Sequence, residues 1–178
     1  MADTDVIRHN NLLAALPKDE YARLAAHLER VRLPPGEILY ESGRPLQYVY
    51  FPTTAIVSLF YIMESGAVAE IAAIGNEGMV GIALITGGDT MPNRAMALCA
   101  GTAYRLKSRL LINEINRIGG RRTGTLQHLL LRYTQVLITQ ISLNAACNRH
   151  TPPLCIAPLN TNAPGPSGPV QETYRITH

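Results

Sequence analysis

Three glycines within seven residues are the feature of this chain whose spacing could do chemistry. They lie in Gly75-Asn76-Glu77-Gly78-Met79-Val80-Gly81, and glycine permits the positive φ values and close backbone approaches of a tight turn. Arg94 follows, near the start of a later predicted strand. Backbone N–H groups at a glycine-flanked turn, faced by one guanidinium, can hold a phosphate group. The spacing therefore predicts a phosphate-binding turn, but as a signal it is weak by itself, since glycine turns followed by an arginine are common in β proteins.

Catalytic groups do not converge elsewhere in the sequence. The five histidines are scattered, and none lies in the region of predicted strands. The serines occur in no nucleophile-elbow context, and the three cysteines lack the CxxC spacing of a disulfide framework or metal centre. Glu70 and Glu77 flank one turn and fit solvated carboxylates. We therefore expect a protein that is not an enzyme and holds no metal or cofactor.

The composition is that of a globular domain. The chain has 178 residues, of which 47% are hydrophobic and 16% charged, with a net charge of +3. That charge is too small to indicate nucleic acid or a membrane surface as a partner. No apolar signal segment opens the chain, and the longest apolar run, residues 55–63, is far short of a membrane span. These observations predict a cytoplasmic protein without a membrane partner.

Short strands surround the glycine stretch, and helices flank them. Helical spacing predicts a short helix over 10–16 and a second one from Pro17 to Val31. Clusters of β-branched and aromatic residues predict strands, which cover residues 38–40, 48–51, 55–63, 68–74 and 95–106. A helix over 108–118, capped by Ser108, follows. Many short strands at this spacing predict an antiparallel roll or barrel.

A long helix is predicted from about Thr123 to Cys147. Steps of four and three place six residues on one face of it: Leu126, Leu130, Tyr133, Leu137, Gln140 and Asn144. Such a stripe fits either a helix packed on its own domain or the seam of a parallel dimer. We favour the seam, because Val136, Ile138 and Leu143 leave more apolar surface around the helix than one contact covers.

Four parts of the chain together resemble the effector half of Crp/Fnr-type transcription regulators. They are NLLAALP (11–17), YVYFP (48–52), IGNEGMVG (74–81), and the long helix with LLRYTQ (130–135) and AACNR (145–149). The resemblance covers about residues 8–149. It implies a mainly β fold with flanking α-helices, in which a cyclic-nucleotide-binding-type double-stranded β-helix, or jelly roll, precedes a dimerisation helix. The domains expected are an effector domain (1–122), the dimerisation helix (123–149) and a proline-rich, disordered tail (150–178).

The resemblance also implies where a ligand would bind. The candidate residues are Gly78, Gly81, Ile82, Ala83, Asn93, Arg94 and Ala95. Relatives that bind cyclic AMP carry Gly-Glu, whose carboxylate takes the ribose hydroxyl, and Arg-Ser/Thr-Ala, whose arginine pairs with the phosphate. Here Ile82 stands at the carboxylate position, and Asn93 at the arginine position if Ala95 is the final alanine. We therefore expect negligible affinity for cyclic AMP, with Arg94 as either a surface cation or a contact to an unidentified ligand.

Family members continue past the dimerisation helix into a winged helix-turn-helix domain that reads DNA. Here Asn148-Arg149-His150 runs into prolines, which predicts a frameshift or truncation and no DNA reader. The resemblance implies a non-catalytic regulatory domain that forms a homodimer, senses an unknown small-molecule effector, and reaches DNA only through the missing domain. The alternative is a stand-alone interaction module that dimerises with, or titrates, full-length family members.

Overall fold

The computed structural model describes residues 9–117 and 124–147. Within these residues the elements are, in chain order, α1 (Asn11–Ala14), α2 (Lys18–Ala25), β1 (Glu29–Leu33), β2 (Ile38–Tyr40), β3 (Tyr48–Pro52), β4 (Ile56–Ile62), β5 (Val68–Ile74), a 3₁₀ helix (Ile82–Ile85), β6 (Arg94–Cys99), β7 (Gly101–Lys107), α3 (Ser108–Asn116) and α4 (Thr125–Cys147). The predicted tail, 150–178, and the predicted domain boundary at 122/123 lie outside the described residues.

The strands pair into two antiparallel sheets. Their orders are β1-β7-β3 and β2-β6-β4-β5. The hairpin predicted between β4 and β5 is present, with Gly66 in the left-handed region at φ 81°. The predicted fold class, a mainly β roll of antiparallel strands with flanking helices, is therefore confirmed.

One hydrophobic core joins the sheets and the helices. It includes side chains from α1, both sheets and α4, among them Leu13, Phe51, Leu59, Leu106 and Leu130, each no more than 2% exposed. Burial of this apolar surface is the main force that holds the elements together. Because α4 contributes to the same core, it packs as part of the roll.

Two predicted elements differ from the structure. The second helix ends at Ala25, and residues 29–33 form β1, which pairs with β7 from Glu29–Arg105 to Leu33–Gly101. Short apolar spacings fit a helix as well as a strand, and pairing with a distant strand decides between them. The strand predicted over 95–106 is divided into β6 and β7. A side chain at Gly101 would overlap the backbone of Ala55, so the chain needs glycine where it turns.

Ser108 does not cap α3, since its hydroxyl donates to the carbonyl oxygen of Leu46 and Lys107 holds the cap position.

Among the described helices, none combines the length and the apolar character needed to cross a bilayer.

Candidate functional site

Residues 75–81, here called the glycine loop, connect β5 to the 3₁₀ helix. Gly81 takes a left-handed conformation with φ 104° directly before that helix. A Cβ added there would lie 3.1 Å from Cγ1 of Val49. The positive φ therefore favours glycine at position 81, and a Cβ there would also press on the Val49 side chain.

A carboxylate of the loop itself uses one of the N–H groups that the predicted anion site would need. Glu77 Oε1 accepts a hydrogen bond from the Gly75 N–H at 2.8 Å. A phosphate bound at this turn would meet the negative charge of Glu77, which repels it. The start of the glycine loop is therefore a poor cradle for an anion.

The amino-terminal helix holds the loop from one side. Asn10, which is fully buried, donates from Nδ2 to the carbonyl oxygens of Gly78, at 2.8 Å, and Pro52, at 2.9 Å. The Asn11 N–H donates to the carbonyl oxygen of Asn76 at 2.7 Å. These bonds tie α1 to β3 and to the loop.

The long helix holds the loop from another side. The Tyr133 hydroxyl donates to the carbonyl oxygen of Met79 at 2.9 Å, and its ring lies against Gly78. Burial raises the pKa of Tyr133, so the hydroxyl stays neutral and able to donate. A tyrosine of the predicted dimer seam is therefore buried inside its own domain.

Asn93 and Arg94 point to opposite faces at the start of β6. Asn93 is buried, and its Oδ1 accepts a hydrogen bond from the Tyr40 hydroxyl at 2.7 Å. Arg94 pairs through Nε with Glu41 Oε2 at 2.8 Å, and its side chain is 34% exposed. Neighbouring positions in a strand alternate between faces, so Arg94 points outward where Asn93 points inward. Arg94 thus matches the alternative of a surface cation.

The remaining candidate ligand residues are apolar. Ile82 opens the 3₁₀ helix half-buried, while Ala83 and Ala95 are buried. The position that a carboxylate occupies in cyclic AMP binders thus presents a hydrocarbon side chain. Tyr133 binds the glycine loop at Met79, and Tyr40 binds Asn93.

The six residues assigned to a dimer seam, called the inner stripe below, face the chain's own β-roll. Leu126, Leu130, Tyr133 and Leu137 are buried there. Gln140 Nε2 donates to the carbonyl oxygen of Ala73 at 3.2 Å, and Asn144 Nδ2 donates to that of Ile71 at 3.1 Å. The assignment of these residues to a dimer seam is wrong, because the roll already covers them.

Other apolar side chains of α4 are uncovered in the described structure. Leu131, Ile138, Val136 and Leu143 are 45%, 52%, 59% and 57% exposed. At 3.6 residues per turn they form two rows, one on each side of the inner stripe. Leu131 and Ile138 lie in one row, and Val136 and Leu143 lie in the other.

Sequence reasoning missed the linking roles of Asn10, Tyr40 and Tyr133. Asn10 carries a recognisable signal, since asparagine before an apolar run is a helix cap, and its Oδ1 accepts from the Leu13 N–H. Its two long-range bonds, like those of the two tyrosines, depend on tertiary contacts that spacing does not reveal. Within the described ranges, no group of three or more His, Cys, Asp or Glu side chains could hold a metal ion.

Comparison with known proteins defines the class to which this arrangement belongs. Residues 30–117 match the profile of the cyclic nucleotide-binding domain family. This part of the chain is therefore a member of that family, and the predicted relationship is confirmed. No curated protein sequence gives a significant match.

Solved structures with the same fold include parts of transcriptional regulators. The N-terminal domain of a transcriptional regulator from Streptomyces coelicolor A3(2) is 25% identical, with a TM-score of 0.55 over 76% of this chain and 94% of that one. The sensor domain of the regulator DNR from Pseudomonas aeruginosa is 15% identical, with a TM-score of 0.58, covering 85% and 96%. The c-di-GMP-responsive regulator CLP from Xanthomonas campestris is 16% identical, with a TM-score of 0.58, covering 75% and 63%.

Proposed function

We propose that this chain is a cytoplasmic, non-catalytic regulatory domain of Crp/Fnr type that forms a homodimer through one side of α4. The observation that carries the proposal is the exposed row that contains Leu131 and Ile138. With Thr134 and Ile141 it follows steps of three, four and three, the spacing of a coiled-coil seam. We call Leu131, Thr134, Ile138 and Ile141 the outer stripe.

The outer stripe is available for a partner through Leu131 and Ile138, whereas Thr134 is buried and Ile141 packs partly against the roll. The outer stripe lies about 100° around the helix from the centre of the inner stripe. Thr134 satisfies its hydroxyl within the helix by donating to the carbonyl oxygen of Leu130 at 2.9 Å. A second α4 packed along this row would cover apolar side chains without burying a charge. Apolar surface of this kind marks protein–protein contacts.

The row on the other side of α4, formed by Leu129, Val136 and Leu143, is a poorer seam. The positions between its apolar residues are Arg132 and Thr139. A second helix packed there would bury Arg132 without a partner, which costs several kcal/mol. This row therefore supplies a matched control on the same helix.

Light scattering behind size exclusion tests the proposal. Wild type at tens of micromolar is expected to have the mass of a dimer, and Leu131→Asp/Ile138→Asp the mass of a folded monomer. Val136→Asp/Leu143→Asp carries the same added charge on side chains that are at least as exposed, and is expected to stay a dimer. Monomeric wild type, or dissociation only in the second variant, would overturn the proposal.

The proposed effector is not cyclic AMP. Ile82 offers no acceptor for a ribose hydroxyl, Asn93 is bonded to Tyr40, and Arg94 is paired with Glu41. Each missing charge-assisted hydrogen bond costs about 1.5–3 kcal/mol, so two losses weaken binding by about two decades or more. Calorimetry with cyclic AMP is expected to show no binding at low micromolar concentration. Low-micromolar binding would mean that Arg94 turns into the pocket.

A further inference from the structure

Three side chains of α4 donate hydrogen bonds to one continuous stretch of backbone. Asn144 and Gln140 bind the carbonyl oxygens of Ile71 and Ala73 in β5, and Tyr133 binds that of Met79 in the glycine loop. Because β5 is an edge strand, its outer carbonyls have no neighbouring strand to bond. Residues 71–79 therefore supply the backbone acceptors for the side chains of α4, and we call this segment the rail.

The contact between Gly78 and Tyr133 is the tightest point of this rail. A Cβ added to Gly78 would lie 2.5 Å from atoms of the Tyr133 ring. Gly78 is not among the glycines with positive φ, so its backbone conformation would accept alanine. The three atoms nearest to that Cβ all belong to Tyr133, so this side chain is the main reason for glycine at position 78.

We propose that Gly78 and Tyr133 form a docking joint that sets the position of α4 on the β-roll. Gly78, the middle glycine of the loop, leaves room for the Tyr133 ring, and the carbonyl oxygen of Met79 anchors the helix together with those of Ile71 and Ala73 in β5. The loop is bonded to α1 through Asn10 on its other side. A displacement of the loop would therefore shift α4 at Tyr133, and with it the orientation of the outer stripe. This joint is independent of whether the chain forms a dimer.

A double-mutant cycle measured by amide hydrogen exchange tests the joint. Gly78→Ala forces the ring, and the hydroxyl bound to Met79, out of place. Exchange in residues 125–147 and 75–81 is expected to become at least about tenfold faster, the factor that corresponds to about 1.4 kcal/mol. The control is Gly88→Ala, whose new Cβ would make an ordinary contact of 3.5 Å with Ala83 and whose φ is not positive. It is expected to leave exchange in both segments unchanged.

Removing the ring decides whether the pair is coupled. Tyr133→Leu alone is expected to speed exchange, because it leaves the Met79 carbonyl without its donor. Gly78→Ala added to Tyr133→Leu is expected to cause little further change, since the space that the ring occupied is free. An equal effect of Gly78→Ala with and without Tyr133 would overturn the joint, as would a Gly78→Ala chain that exchanges like Gly88→Ala. If Gly78→Ala does not fold, refolding of the double variant supports the joint, and its failure beside a folded Tyr133→Leu chain contradicts it.

Discussion

The inner and outer stripes of α4 follow the same heptad spacing and meet different surroundings. The inner stripe ends in Gln140 and Asn144, whose amides reach the carbonyls of β5. The outer stripe holds Leu131, Ile138 and Ile141, with one threonine whose hydroxyl is satisfied within the helix. The amides of the inner stripe thus meet a strand edge, where carbonyls need donors, whereas the exposed Leu131 and Ile138 of the outer stripe are the side chains proposed to meet a second helix.

The largest effect is expected from a charge placed in the inner stripe. Leu130 is 1% exposed, and Leu130→Asp would bury an unpaired carboxylate at a cost of about 3–5 kcal/mol in the free energy of unfolding. Ile138→Asp, on the outer stripe, is expected to change the stability of the monomer by no more than about 0.5 kcal/mol. Urea unfolding at a concentration below dimer formation measures both. Similar losses in the two variants would remove the distinction between the stripes.

Substitution of the two amide residues of the inner stripe is expected to lower the free energy of unfolding by a smaller amount. Asn144 is buried, and Asn144→Ala leaves the Ile71 carbonyl without its donor, at a cost of about 1–3 kcal/mol. Gln140→Ala is expected to lose about 1 kcal/mol, because Gln140 is only partly buried. Gln135→Ala, at an exposed position of the same helix, is the control and should be neutral. A neutral Asn144→Ala would show that the strand edge does not hold the helix.

The free energy of unfolding measured at alkaline pH is expected to report the burial of Tyr133 in the inner stripe. Burial raises the pKa of Tyr133 above its ordinary value of about 10. The unfolded chain would lose this proton near pH 10 while the folded chain keeps it, so stability is retained below that pH and falls as pH rises above it. Tyr133→Phe should make the decline shallower, whereas Tyr61→Phe, at a 46% exposed position, should not. Equal slopes in wild type and Tyr133→Phe would contradict a buried Tyr133.

Strands and helices with a strong local period could be predicted from the sequence. The prediction of 68–74 matches β5 residue for residue, and the long helix differs from its prediction by two residues at its start. β1 could not be predicted in this way, because Val31 also fits helical spacing and only pairing with β7 selects the strand. Local period identifies an element well when no distant partner competes for it.

The candidate site was harder to predict than the fold. Asn93 and Arg94 are adjacent, and a shift of one residue in a strand exchanges the buried side chain for the exposed one. The spacing of α4 likewise reveals stripes without showing which of them the roll covers. In both places the deciding contacts come from residues far away in the chain, Tyr40 and Glu41 in one case and β5 in the other.

Disulfide cross-linking tests most directly that the outer stripe is the dimer contact. In a chain whose three native cysteines are replaced by serine, Ile138→Cys would place two thiols together across a parallel seam. Val136→Cys, on the opposite row, would keep them apart. Mild oxidation is expected to convert the Ile138→Cys chain to a covalent dimer and to leave the Val136→Cys chain monomeric on a non-reducing gel. Cross-linking of Val136→Cys alone, or of neither variant, would contradict the account.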